Sequence, residues 1–306
     1  MSTDSMGSPW TLALDHARAL GEHGIEVVLV ALGRKLTNEQ RRTAWDISTL
    51  TLHEQPLRCE WMSDPWEDVD RAGEILLTLE QRYAPDVLQL GSYAFGALPF
   101  SAPIVLHAHA CLPAWWEASH EAPLPVAFEH YCERVSAGLR AADAVVCATS
   151  SLLQELTRHH GPITTGRVIA CACDPELFSP DEKEDLIASA SHSWDGLRNL
   201  RLLAQAAPNV RWPIAVAADD TRPPRSDEGG VEPEPGGLHL LGRLSRASLA
   251  EHLGRATLYA LPGGLDGDGG IAVAELDVGG GHGGALGIAD VGAQRLSGTA
   301  PVTRSV

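Results

Sequence analysis

The sequence predicts an α/β protein built from parallel sheets with crossover helices, and three observations carry that prediction. Short apolar runs of strand length alternate with amphipathic stretches of helix length along most of the chain. The segment Tyr131–Pro180 shows the pattern most clearly: a helix, a buried strand over Ala144–Cys147, a capped helix, and a strand over Arg167–Ala170. Thr149, Ser150 and Ser151 are placed so that their hydroxyls can cap the free amides of the second helix. A strand that runs into a helix N-terminus is where a doubly wound sheet puts its ligand crevice. Third, Asp174-Pro175-Glu176-Leu177-Phe178-Ser179-Pro180 punctuates the chain as it leaves one α/β unit for another. Two domains follow, residues 1–180 and 181–306.

In order along the chain, Ser8-Pro9-Trp10 reads as a hydroxyl cap followed by a first-turn proline. Leu12, Ala13, Ala17 and Leu20 give that helix one apolar face, and Gly24 ends it. Ile25–Leu32 is apolar apart from Glu26, as a strand buried on both faces should be. A strand normally opens a sheet of this kind, so either Met1–Gly7 holds a remnant of the first turn or the first strand is missing. Thr37–Trp45 reads as a helix, Thr49–His53 as a strand and Trp66–Tyr83 as a long amphipathic helix. Asp86–Leu90 and Ile104–His109 are further strands. The second half alternates strands at Leu186–Ala190, Ile214–Ala217, Leu238–Leu241 and Thr257–Leu261 with helices at Leu197–Ala207 and Ser245–Arg255. After residue 262 the composition becomes dense in glycine, which weakens helix and strand interiors alike.

Composition excludes several classes. A net charge of −17 argues against a protein that grips a nucleic-acid backbone. No apolar stretch is long enough to span a bilayer, and MSTDSMGSPW lacks the basic-then-apolar pattern of a secretory signal, so a cytoplasmic location is expected. Cys59, Cys111, Cys132, Cys147, Cys171 and Cys173 are scattered through α/β text and read as reduced core thiols.

Four constellations could carry chemistry. His107, His109 and Cys111 alternate, so they share one face at a strand end. Their residue types fit zinc, a ligand-facing histidine, or core packing; the acidic partners of a metal hydrolase are not recognisable, and no metal is expected. Ser189–Asn199 links a strand to a helix, with Arg198 and His192 as cations. Leu240-Leu241-Gly242-Arg243-Leu244 precedes a possible cap at Ser245. The fourth, Leu261–Glu275, carries Asp266, Asp268 and Glu275 among glycines without the ligand order of a calcium loop.

Taken in order, these segments resemble the nucleotide-sugar glycosyltransferases of GT-B architecture, in particular those of family 4. The exit Arg167–Phe178 is similar to R-V-I-P-N-G-x-D-x-x-x-F, with Cys171 and Ala172 where the family keeps Asn and Gly. His109-Ala110-Cys111 followed by Trp115-Trp116 resembles H-S-C followed by W-W. Ser189–Asn199 resembles S-A-G-R-x-W-D-x-x-K-N, with Ser191 for the glycine, His192 for the arginine and Arg198 for the lysine. Gly242-Arg243-Leu244 matches a loop that flanks the nucleotide base. Glu275 fits the second glutamate of Y-E-P-F-G-L-x-x-x-E, while Asp266 and Asp268 straddle the first. Ala285–Val291 resembles A-L-V-L-G-D-I, and the chain stops soon after it.

The resemblance implies two Rossmann-like domains, the C-terminal one incomplete, and hexosyl transfer from a nucleotide-diphosphate sugar with retention of configuration. It implies no cofactor and no metal, because side-chain cations and helix N-termini meet the phosphates. His109, Asp266 and Glu275 are the implied catalytic residues. Ser191, His192, Arg198, Asn199, Gly242, Arg243 and Glu275 are implied at the donor, and His109, Trp115 and Trp116 on the acceptor side. The partners expected are a nucleotide sugar and an unknown glycan or small-molecule acceptor. A non-catalytic binding protein of the same fold, or a truncated or frameshifted product, is the alternative.

Overall fold

A computed structural model describes residues 1–171, 177–178, 180–191, 200–218, 237–261 and 287–290. The chain forms two compact units: Met1–Glu117 with Ala122–Ala170, and Ala118–Glu121 with Cys171–Val306.

The first unit opens with a strand, β1 (Ser2–Asp4), so the first strand is present. Its residues are polar, yet Ser2 and Thr3 are buried. Burial is tolerable because the Thr3 hydroxyl donates to Pro9 O at 2.9 Å and the Ser2 hydroxyl accepts from Gly91 N at 3.3 Å. Helix α1 (Ser8–Glu22) follows. Gly7, not Ser8, stands at its N-cap with φ of 65°, where no hydroxyl contributes, and Pro9 lies in the first turn as expected. Strand β2 (Val27–Leu32) leads to α2 (Asn38–Trp45), whose Thr37 and Gln40 form a reciprocal capping box. Then come β3 (Leu50–Glu54), α3 (Trp66–Tyr83), β4 (Leu88–Leu90), a 3-10 turn over Tyr93–Ala97, and β5 (Ile104–Ala108). Helices α4 (Leu112–His120) and α5 (Glu129–Ala141), strand β6 (Ala144–Cys147), helix α6 (Ser150–His160) and strand β7 (Gly166–Val168) complete it. Thr149 caps α6 through Leu152 N at 3.1 Å, as its sequence suggests.

All pairings in this unit are parallel, in the orders β1-β2-β3 and β4-β5-β6-β7. The two sheets meet where Gly91 N reaches Ser2, and a Cβ on Gly91 would sit 3.1 Å from Ser2 O. Strand order thus reverses between β1 and β4, the switch point of a doubly wound fold. Strand β2 shows why both faces must be covered. Leu29 and Ala31 join Trp10, Leu14 and Ala17 of α1 in one core, while Val30 and Leu32 face Val69, Leu76 and Leu90 in another.

The second unit runs β8 (Glu184–Ser191), α7 (Leu200–Ala206), β9 (Ile214–Ala218), β10 (Leu238–Gly242), α8 (Arg246–Arg255), β11 (Ala256–Leu261) and β12 (Gly287–Asp290). Its order β10-β9-β8-β11 is parallel, again with a reversal beside the first strand of the unit. Strand β12 pairs antiparallel with β11, an exception to the all-parallel expectation. Ile187 packs with Leu200, Leu203 and Val216, whereas Leu186 and Ala188 pack with Leu253 and Tyr259, so this sheet too has a core on each face.

Candidate functional site

In unit 1 the chemistry gathers at the C-terminal end of β5. Leu106 and Ala108 are buried in the core, which turns His107 to the other face, where it is only 7 % exposed. The His109 ring stacks on His107 with centroids 4.8 Å apart, and His16 of α1 also stacks on His107, at 5.5 Å. From β4, Gln89 Nε2 lies 3.2 Å from His16 Nδ1 and 3.5 Å from His107 Nδ1. An amide N–H donates, so a ring nitrogen that pairs with Gln89 accepts through its lone pair. Burial pushes His107 down to about 3, helped by the charges His109 and His16 would carry, and pushes His109 down to about 4. His16 is lowered by burial too, against the pull of Asp15. The stack is therefore neutral at physiological pH, able to exchange hydrogen bonds with a hydroxyl but offering no charge. Among the described residues, no three His, Cys, Asp or Glu side chains converge as a metal-holding group.

A residue absent from the sequence reading fixes this region. Glu60 is 6 % exposed, and its two oxygens accept from Tyr93 N at 2.9 Å and Ala94 N at 2.8 Å. Burial pushes its carboxyl up to about 7, against those two hydrogen bonds. Tyr93 in turn donates its hydroxyl to Ala110 O at 2.6 Å. Glu60 thus positions the Tyr93 turn, and Tyr93 positions the backbone beside His109. The only sequence signal was a lone carboxylate inside Cys59-Glu60-Trp61-Met62.

Trp115 and Trp116 lie on α4, their rings edge to face at 6.4 Å, with Trp116 5.8 Å from Phe128. Trp115 is 38 % exposed. In unit 2, Ser191 ends β8 opposite Ala218, at the point where strand order reverses. Gly242 ends β10 with φ of 70°, a left-handed conformation that suits glycine, and Arg243 follows with an exposed side chain. Ser191 and Gly242 thus finish strands on either side of β9 at one edge of the sheet. Ser245 caps α8 through Ser248 N at 3.1 Å. His192, Arg198, Asn199, Asp266 and Glu275 lie outside the described residues.

The sequence profile of Glycosyltransferase Family 4 matches residues 10–177. The chain belongs to glycosyltransferase family 4. That match includes His109, Trp115 and Trp116, whereas the donor-motif residues from Ser191 onward fall beyond it. Solved structures with the same fold include sucrose-phosphate synthase from Thermosynechococcus elongatus, at 14% identity and a TM-score of 0.60 over 86% of this chain and 72% of that one. Anabaena HepE in complex with UDP-glucose aligns at 11% identity and a TM-score of 0.58, over 86% of this chain and 73% of that one. The lipopolysaccharide outer core galactosyltransferase WaaB aligns at 10% identity and 0.53, over 87% and 75%. At such identities these neighbours establish the fold, which is GT-B. No curated protein sequence matches the chain significantly. No helix among the described residues is long and apolar enough to cross a membrane.

Proposed function

We propose that this chain transfers a hexosyl group from a nucleotide-diphosphate sugar to a glycan or small-molecule acceptor. The observation that carries this reading is family 4 membership, supported by a GT-B neighbour solved with UDP-glucose. In the proposed mechanism the donor lies on the β8 and β10 edge of unit 2. Arg198 and His192 face the diphosphate, Ser191 and Asn199 line its loop, and Gly242 and Arg243 flank the base. Glu275 holds the ribose, and Asp266 serves as the carboxylate near the sugar. Breaking the glycosidic bond leaves negative charge on the departing diphosphate, and a permanent cation at that point stabilises it. His109 and the tryptophans Trp115 and Trp116 serve the acceptor side, in a cytoplasmic enzyme that retains configuration and uses no metal.

A second reading, a family member that binds a nucleotide without transferring sugar, draws on one observation. Ser191 and His192 stand where the family pattern has glycine and arginine, so close backbone approach and one permanent charge are both lost. Calorimetry on Arg198→Ala tests the donor assignment that both readings share. Loss of this cation is expected to weaken nucleoside-diphosphate binding by about 1.5–3 kcal/mol, the range for a charged hydrogen bond. Equal affinity in parent and variant would remove the loop from the donor site. Sugar transfer from a bound donor then separates the two readings.

A further inference from the structure

Trp61 is 49 % exposed, although the segment holding it is tightly pinned. Met62 N donates to Cys59 O at 2.9 Å, Arg58 Nη1 donates to Asp64 O at 2.9 Å, and Arg58 N donates to the Asp68 carboxylate at 3.0 Å. Glu60, the residue before Trp61, is anchored by Tyr93 N and Ala94 N. The indole itself is oriented, because its Nε1–H donates to Asp4 Oδ2 at 3.1 Å. Asp4 ends β1 and its other oxygen accepts from Met6 N at 2.9 Å. A Cβ on Gly33, just after β2, would lie 2.8 Å from that Asp4 oxygen, so the ends of β1 and β2 and the Trp61 segment converge. Trp45, 69 % exposed at the C-terminal end of α2, offers a contrast.

A half-exposed indole that a hydrogen bond already orients loses little freedom when a ligand stacks on it. Its place, beside the C-terminal ends of parallel strands, is where open α/β sheets take ligands. The negative face of an indole attracts polarised C–H bonds. The Asp4 carboxylate accepts from Met6, Trp61 and Cys59, which leaves about one of its four lone-pair sites for a further donor. Burial raises the Asp4 carboxyl, while the hydrogen bonds from Met6, Trp61 and Cys59 and the charge of Arg34 act to keep it ionised. A carboxylate at the ring edge accepts a sugar hydroxyl and repels a phosphate.

The geometry points to Trp61 and Asp4 as an acceptor subsite in which an uncharged pyranose stacks its C–H face on the indole and donates a hydroxyl to the carboxylate. This deepens the transferase reading and rests on it for the word acceptor. A ring with equatorial hydroxyls fits best, since the axial C–H bonds at C1, C3 and C5 then form one apolar face free of hydroxyls.

The test is ligand-observed saturation-transfer NMR on the full chain with methyl β-D-glucopyranoside and its galacto and manno counterparts, with uridine as a competing stacker. At least one glycoside is expected to receive saturation at H1, H3 and H5. Its Kd should rise by roughly tenfold in Trp61→Ala, by less in Trp61→Phe, and not at all in Trp45→Ala. Circular dichroism on each variant guards against misfolding, and Trp61→Phe keeps an aromatic ring in place. Undiminished binding in Trp61→Ala, no glycoside binding by the parent, or binding at Trp61 by uridine alone would each overturn the proposal. UDP binding measured on the same parent separates the two ideas. UDP binding without glycoside binding defeats only this subsite, whereas glycoside binding at Trp61 without UDP binding defeats the donor reading and leaves a sugar-binding site.

Discussion

At the scale of the residue, the imidazole stack contributes to the acid response of unit 1. His107 is held to about 3 in the folded chain, against an ordinary value of 6.5. Between those values the unfolded chain holds more protons, so the stability His107 provides is complete above about pH 6.5 and is lost as pH falls through that window. The loss is up to about 1.4 kcal/mol per pH unit for one group. His109, held to about 4, acts in the same direction. Glu60 acts oppositely, because its carboxyl is raised to about 7 and its burial costs less once protonated. The difference between parent and His107→Gln isolates the ring. Urea denaturation at several pH values should show the variant losing less stability than the parent from about pH 6 down to about pH 4. Parallel curves would mean that His107 is not kept neutral by its surroundings.

At the scale of the element, helix α5 and the Tyr93 turn pack with no room between their backbones. A Cβ on Gly138 would overlap Tyr93 O, and one on Gly96 would lie 2.6 Å from Gly138 O. Gly138→Ala is expected to destabilise unit 1 by about 1–3 kcal/mol despite alanine's better helix propensity, because backbone, not a flexible side chain, is in the way. A thermal melt that shows no loss would contradict this packing. The sequence made α3 and β6 legible, since the apolar periodicity of α3 and the apolar run of β6, followed by the Thr149 cap, agree with burial on the sheet. Strand β1 was not legible, because Ser2, Thr3 and Asp4 read as polar, and Ser2 and Thr3 are buried with their hydroxyls bonded to the backbone of Gly91 and Pro9. For the same reason the sequence pointed to His109 but not to Glu60, Asp4 or His16, whose roles depend on partners far along the chain. His107, whose alternation with His109 and Cys111 left packing, ligand-facing and metal roles open in the sequence, lies in a ring stack with His16 and His109.

At the scale of the molecule, two doubly wound units and a net charge of −17 impose a requirement on any donor site. An anionic donor must be drawn by local cations and helix N-termini against the charge of the whole chain. The measurement that bears most directly on the account is the melting temperature of the full chain with UDP, GDP and ADP, alone and as their hexose conjugates. A ligand that binds the folded chain at a hundredfold excess over its Kd adds about 2.7 kcal/mol of stability, a shift of several degrees for a chain of this size. Such a shift is expected with one nucleotide, larger than in Arg198→Ala; no shift with any of them would rule out a nucleotide-sugar donor site in this chain.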